Sequence, residues 1–320
     1  MIHKLEVKLK QHTPLIHFQH DQEGATLRAS EVKPKLDRYL KGKGVTIPKY
    51  KMKIVSSDLQ AFPTQEAGRN GRMRNIAPSF FGEGKSLVIA NSTTMIITGQ
   101  EVFDGDFCDH LKNFFLDNNF GTRQSKGYGS FTVSSINSRI IADCKPLNYV
   151  SYFNIQGDYL KALKQIELLY KTLRSGINGP DPNSLYFKSL MFSYATLYNC
   201  HWDKRNIKQH FLPRGLNDQV LQYDGLEPLA FMPQTKQELD EQGINTYSEE
   251  DGEFDFRDFL GFSTNENWGF YHMQISKDFV VGERFKSPIL FKPISAGEQW
   301  KIYVIASEVP ESLFNSRVAI

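Results

Sequence analysis

Between Phe120 and Phe131 the chain reads Phe-Gly-Thr-Arg-Gln-Ser-Lys-Gly-Tyr-Gly-Ser-Phe. Gly121, Gly127 and Gly129 alternate with Thr122, Arg123, Gln124, Ser125, Lys126 and Tyr128. Such a set is suited to holding phosphate groups. Glycine reaches positive φ and lets backbone N–H groups approach an oxyanion. Arg123 can fork onto phosphate oxygens, Lys126 supplies a mobile point charge, and Tyr128 can stack on a base. A nucleotide P-loop is excluded, because G-x-x-x-x-G-K-[ST] is absent and the expected order is helix–loop–strand rather than strand–loop–helix. A dinucleotide-binding fingerprint fails in the same way.

Other groups offer related chemistry. Gly68-Arg69-Asn70-Gly71-Arg72-Met73-Arg74-Asn75 is basic and flexible, and Arg69, Arg72 and Arg74 could order against a nucleic-acid backbone. Arg28, Lys33, Lys35, Arg38, Lys41 and Lys43 accompany an expected helix, with Arg28 and Lys33 the candidates for anion contact. Arg28 lies at its start, where backbone N–H groups favour anions. His12, His17 and His20 cluster near the first strand–helix junction, and an imidazole there could move a proton near neutral pH. His201 and His210 with Cys200 match no zinc spacing, and the carboxylates at 249–258 fit no calcium loop. No metal or cofactor is expected.

These residues need elements to position them. Leu5, Val7 and Leu9 alternate with polar residues, which predicts a half-buried strand over 2–10. A helix is expected over 26–40, capped by Thr26 or Ser30 with Pro34 near its first turn, and strands over 51–55 and 86–98 with a turn at Asn91-Ser92. Asp106 should cap a second helix that buries Phe107, Leu111, Phe114 and Phe115 and ends at Gly121, before a strand over 130–136. Strand, helix, two strands, helix and strand make the ferredoxin-like order. A second unit begins with a strand over 149–156. A helix follows, lined by Leu160, Leu163, Ile166, Tyr170 and Leu173 and stopped by Gly176. A helical region over 184–212, an acidic segment over 236–258 and strands near 268–275, 288–294 and 300–306 complete it. The expected class is α+β, with two tandem ferredoxin-like (RRM-like) domains, 1–140 and 141–320, the second carrying helical and acidic insertions.

The charge is asymmetric. Net charge is only +2, yet residues 1–53 hold 12 basic and 5 acidic groups. Residues 136–320 hold 19 basic groups against 23 carboxylates. A polyanion is therefore expected on the N-terminal half. Three cysteines far apart imply no disulfide framework, and no apolar leader or run of about 18 apolar residues is present. A reducing cytoplasm and no membrane contact are the expectations.

The loop Gly121–Phe131, placed after the second helix of a ferredoxin-like unit, resembles the glycine-rich loop of the RAMP superfamily of CRISPR-associated proteins. His12-Thr13-Pro14-Leu15-Ile16-His17-Phe18 resembles the end of that family's first strand. Gly24-Ala25-Thr26-Leu27-Arg28-Ala29-Ser30 is similar to the small-residue lead-in to its first helix. Glu283-Arg284-Phe285-Lys286-Ser287-Pro288-Ile289-Leu290 resembles a motif in the first subunit of Cmr-type complexes. The resemblance implies a non-catalytic, RNA-binding subunit of a type III effector complex in antiviral defence. Its partners would be CRISPR RNA, alone or with target RNA, and other effector subunits, with Arg284 and Lys286 as contacts from the second half. The second half has no loop of the same type. Two alternatives accompany it. One is a metal-independent endoribonuclease processing CRISPR repeat RNA, with His17 or His12 as acid or base. The other is an RNA-independent structural protein of similar fold.

Overall fold

A computed structural model describes residues 1–19, 22, 24–68, 71–79, 84–142, 145–179, 187–198, 247–248, 259–263, 265–268, 273–278, 284–309 and 317–319. Strand β1 (His3–Gln11) buries Leu5, Val7 and Leu9 on one face, as its alternation requires. Helix α1 (Ala29–Gly42) buries Val32, Leu36 and Leu40 at four-residue steps. It starts later than expected. Arg28 occupies the N-cap without a side-chain cap bond, and Pro34 lies inside the helix.

Strand β2 (Tyr50–Pro63) precedes a short hairpin, β3 (Gln65–Ala67) and β4 (Met73–Asn75), and then β5 (Ser86–Gly99). The expected turn at Asn91-Ser92 is absent. β5 runs straight through, because Ser92 pairs with Ser57 and the Thr93 hydroxyl meets that of Ser56 at 3.0 Å. Helix α2 (Gly105–Asp117) is capped by Asp104, whose Oδ1 accepts from the Phe107 amide at 2.8 Å. Asp106 falls in the first turn instead. The helix stops four residues before Gly121. There Asn118 turns extended, its side-chain amide donates back to the Phe114 carbonyl, and Asn119 bridges Ser130. Strands β6 (Phe131–Ile136) and β7 (Arg139–Ile140) follow.

These strands form one antiparallel sheet, in the order β2-β5-β1-β6-β7. α1 and α2 cover its apolar face, where Leu5, Val7, Leu36, Met95, Ile97, Leu111 and Phe114 join one core. The order is compatible with the ferredoxin-like arrangement. Strand β8 (Tyr149–Gln156) and helix α3 (Tyr159–Tyr170) come next, and a π-helical turn at Lys171–Ser175 ends at Gly176. Helix α4 spans Leu190–Leu197. The remainder of 184–212, apart from residues near α4, lies outside the described residues, as does the acidic segment except Tyr247 and Ser248.

The later strands are β9 (Tyr247–Ser248), β10 (Phe262–Ser263), β11 (Asn265–Trp268), β12 (Met273–Asp278), β13 (Arg284–Phe285), β14 (Ile289–Ala296), β15 (Gln299–Ala306) and β16 (Arg317–Ala319). β14, β15 and β8 form a second antiparallel sheet in that order. The chain groups into two compact units. The first comprises Met1–Leu169 with Ile289–Ala306, and the second Tyr170–Pro288 with Ser307–Ile320. Within the second, β11-β12-β16-β9 form one sheet and β10 pairs with β13. No described helix is long and apolar enough to cross a membrane.

Candidate nucleic-acid interface

The glycine-rich loop is a rigid turn whose shape is set by contacts inside the first unit. Gly121, Gly127 and Gly129 all have positive φ, at 75°, 83° and 65°. A Cβ on Gly121 would lie 2.5 Å from the Ile16 carbonyl oxygen, and one on Gly127 would lie 2.7 Å from Ile166 Cδ1. The glycines thus serve close packing against residues remote in sequence. The loop's amides are largely engaged as well. Gly121 N–H donates to Glu31 Oε1, Thr122 N–H to the Ile16 carbonyl and Gly129 N–H to the Pro14 carbonyl, each at 2.8 Å. The Lys126 and Gly127 amides close the 3-10 turn Gln124–Lys126 on the Arg123 and Gln124 carbonyls. A phosphate cradle built from these five amides is therefore not available, which corrects the expectation for them.

Tyr128 is also corrected. Its ring is completely buried and its hydroxyl donates to the Pro78 carbonyl at 2.9 Å, so it has no face to offer a base. What the turn presents outward is Arg123. This residue is exposed and held in the left-handed region, at φ 58° and ψ 29°, with Lys126 half-buried three residues on. Thr122, Gln124 and Ser125 are half-buried. Gln124 stabilises the turn, donating to the Gly121 carbonyl at 2.6 Å and accepting from Lys35 at 3.1 Å. Asn119, not anticipated from the sequence, clamps the turn by donating to the Gln124 and Phe291 carbonyls, both at 2.8 Å.

The start of α1 is fastened to this turn. Glu31 Oε1 accepts both the Gly121 amide and Lys35 Nζ, each at 2.8 Å. Arg28 is half-buried and donates to the side-chain carbonyls of Gln19 and Gln22. Lys33 pairs with Asp37 at 2.7 Å and lies 4.2 Å from the centre of the Tyr50 ring. The structure thus joins Glu31 and Lys35 to the glycine-rich turn through a hydrogen-bonded frame, while the Arg28 side chain bonds outside it.

The other basic candidates are elsewhere. Arg72 and Arg74 are exposed on the β3–β4 hairpin, where Arg74 Nε donates to Glu66 at 2.6 Å. Arg69 lies outside the described residues. Arg284 sits on β13 in register with Ser263, and Lys286 is exposed just beyond it. Both belong to the second compact unit.

Among the described histidines, His12 and His17 are held inside the fold. His12 is buried; its Nδ1 accepts from the Ser295 amide at 3.0 Å, and its Nε2 meets the Thr132 hydroxyl at 2.8 Å. That assigns the neutral tautomer with the proton on Nε2. Burial first, then Lys292 and Lys10, lower its pKa from 6.5 to about 3. His17 is buried too, and its Nδ1 accepts from the Gln19 amide at 3.0 Å. Burial and then Arg28 lower its pKa, against an opposing pull from Glu31. His20 lies outside the described residues, as do Cys200, His201 and His210.

A depressed histidine pKa makes a testable contribution to stability. Between pH 6.5 and about 3 the unfolded chain binds a proton at His12 that the native fold refuses. The stabilisation is therefore complete above pH 6.5 and declines as pH falls. By pH 4.5 the His12 contribution should have fallen by about 2–3 kcal/mol. Urea titrations of the wild type and His12→Gln should show their stability difference narrowing by that amount between pH 7 and 4.5. A constant difference would contradict the assigned protonation.

The sequence matches the Cmr1 N-terminal domain over residues 2–64 and 44–177, and the Cmr1 C-terminal domain over residues 186–320. The chain belongs to the Cmr1 family. It is a Cmr1-like CRISPR RAMP protein. No curated protein matches it. A chain in the cryo-EM structure of the Type III-B Cmr-beta bound to cognate target RNA is similar at 14% identity, with a TM-score of 0.32. The match covers 42% of this chain and 60% of that one.

Within this Cmr1-family chain the N-terminal match takes in β1, α1, α2 and the glycine-rich turn, and the C-terminal match takes in Arg284 and Lys286. One basic feature escaped the sequence reading. Lys4, Lys8 and Lys10 on β1, with Lys51 and Lys53 on β2, all lie exposed on the sheet. Alternation on β1 was the available signal. Only strand pairing brings the β2 lysines to the same face.

Proposed function

We propose that this chain holds CRISPR RNA, or its duplex with a target RNA, by contacts to the RNA backbone, as a non-catalytic subunit of a type III Cmr effector complex. The setting is cytoplasmic antiviral defence, and the partners are RNA and other effector subunits. Membership of the Cmr1 family supports the assignment to that complex. The observation that carries the RNA reading is the frame joining α1 to the glycine-rich turn through Glu31, Lys35 and Gln124, with Arg123 exposed on it. Arg123 and Lys126 take phosphate oxygens through their side chains, and a rigid turn lowers the cost of ordering them. Sequence is then read by RNA pairing, and the protein senses charge and shape.

The same reading assigns two tandem RRM-like domains, 1–140 and 141–320. The order β14-β15-β8 supports this, since it repeats that of β2-β5-β1. Arg28, Lys33, Arg69, Arg72, Arg74, Arg284 and Lys286 are its secondary contacts. The test is the salt dependence of RNA binding by the full chain. Replacing Arg123 and Lys126 together with alanine should reduce the slope of log K against log salt by about 1.4, the single-strand value for two phosphate contacts. An unchanged slope removes the turn from the interface.

A further inference from the structure

On the face turned away from α1 and α2, the first sheet carries a concentration of exposed positive charge that the fold does not require. On β1, Leu5, Val7 and Leu9 enter the core, so Lys4, Glu6, Lys8 and Lys10 point away from α1 and α2. Strand register extends that face. Lys4 lies across from Thr98, which lies across from Lys51. Glu6, Ile96 and Lys53 form the next row, and Lys8, Thr94 and Val55 the one after. Lys10 pairs with Thr132 on β6. All five lysines are exposed, and Glu6 is the one carboxylate in these rows.

Lys4 engages Glu6 at 3.1 Å, and Lys10 Nζ donates to the Ser295 carbonyl at 2.9 Å. Among the described residues Lys8, Lys51 and Lys53 have no carboxylate partner. Lysines on an edge strand have an ordinary explanation, since they discourage edge-to-edge pairing. That accounts for Lys51 and Lys53 on β2. It does not account for β1, which is an interior strand between β5 and β6. Like charges gathered on one sheet face repel, and a solvent face normally mixes both signs.

We infer that this face is a binding track for the phosphate backbone of single-stranded RNA, distinct from the glycine-rich turn. Lysines at alternate positions of a strand recur about every 6.8 Å. That is a spacing of the order of successive phosphates along an extended nucleic-acid strand. Thr94 and Thr98 place hydroxyls between the charges, as neutral partners for phosphate and ribose oxygens. The rows hold no aromatic side chain, so binding here is independent of base identity.

The inference rests on the RNA reading above, and the experiment separates the two. The full chain is titrated with a fluorescein-labelled oligouridine RNA across a range of salt concentrations. Lys8→Gln with Lys51→Gln and Lys53→Gln should lower the salt slope by about 2, and affinity at low salt by roughly tenfold or more. Glu6→Gln should raise affinity, a gain that misfolding cannot imitate. Unchanged binding by both variants, while the Arg123/Lys126 variant loses its share, overturns the track and leaves the RNA reading standing. Absence of salt-dependent binding by the wild type overturns both. A triple variant whose loss appears with an RNA duplex but not with oligouridine also overturns the single-strand assignment.

Discussion

Gly129→Ala should cost about 3–5 kcal/mol of stability, enough to unfold a domain of ordinary stability. Two effects add. The residue sits at φ 65°, where an L side chain is strained. The new Cβ would also overlap the Phe120 carbonyl oxygen and lie 2.8 Å from its carbon. Those are backbone atoms, so no rotamer change relieves the clash. Moving them breaks the Phe120 N–H bond to the Gly129 carbonyl at 2.9 Å and disturbs the adjoining Asn119–Ser130 bridge. Phe120 is itself packed against Phe114, Phe115 and Phe131 in the core. Gly44→Ala provides the control, because Gly44 also has positive φ, at 72°, but faces open space. Its loss should be limited to about 1–2 kcal/mol of backbone strain. Equal losses from the two variants, measured by denaturant unfolding, would show that steric approach at Gly129 contributes nothing.

Lys292→Ala should be comparably damaging, and Lys292→Met much less so. Lys292 is completely buried on β14 and donates to the Asn118 and Phe131 carbonyls, both at 2.8 Å. Burial pushes its pKa well below 10.5, against the pull of Asp117. Two acceptors match the two N–H bonds of a neutral amine. Alanine leaves a cavity worth about 2–5 kcal/mol by comparison with other large-to-small core changes, and strips both carbonyls of their donor. Methionine fills most of the volume and removes the cost of burying an ionisable group, so its loss should be under half that of alanine.

The pH dependence separates these effects further. Between the lowered native pKa and 10.5 the unfolded chain binds a proton that the native amine does not, so wild-type stability rises with pH over that interval. The rise should be missing from Lys292→Met. Identical alkaline profiles would contradict the depressed pKa, and equal losses from alanine and methionine would place the cost in the hydrogen bonds rather than the volume.

Much of the first unit was legible in the sequence because its signals are local. Leu5, Val7 and Leu9 on β1, and Phe107, Leu111, Phe114 and Phe115 on α2, declare their buried faces by period alone. The basic turn Arg123–Lys126 was equally visible, as was the family to which the chain belongs. Local signals also misplaced details. Asp104 and Asp106 both suit a helix cap, and the contact with the Phe107 amide at 2.8 Å decided for Asp104. Asn91-Ser92 has turn composition, yet pairing with β2 keeps it extended.

The roles of the glycines were decided only in three dimensions. Gly127 meets Ile166 on α3 and Pro293 on β14, and Gly121 meets Ile16. Tyr128 looked free to stack until Pro78 accepted its hydroxyl. Lys292 became a core residue because Asn118 and Phe131 supply its acceptors. Lys51 and Lys53 share a face with Lys4 and Lys8 only because β5 stands between their strands in one register. Periodicity and turn chemistry act over a few residues, so the sequence alone determines which segments become strands and helices. Which atoms occupy the space beside a glycine, an amine or a ring depends on segments up to 174 positions away, and that only the packed tertiary structure settles.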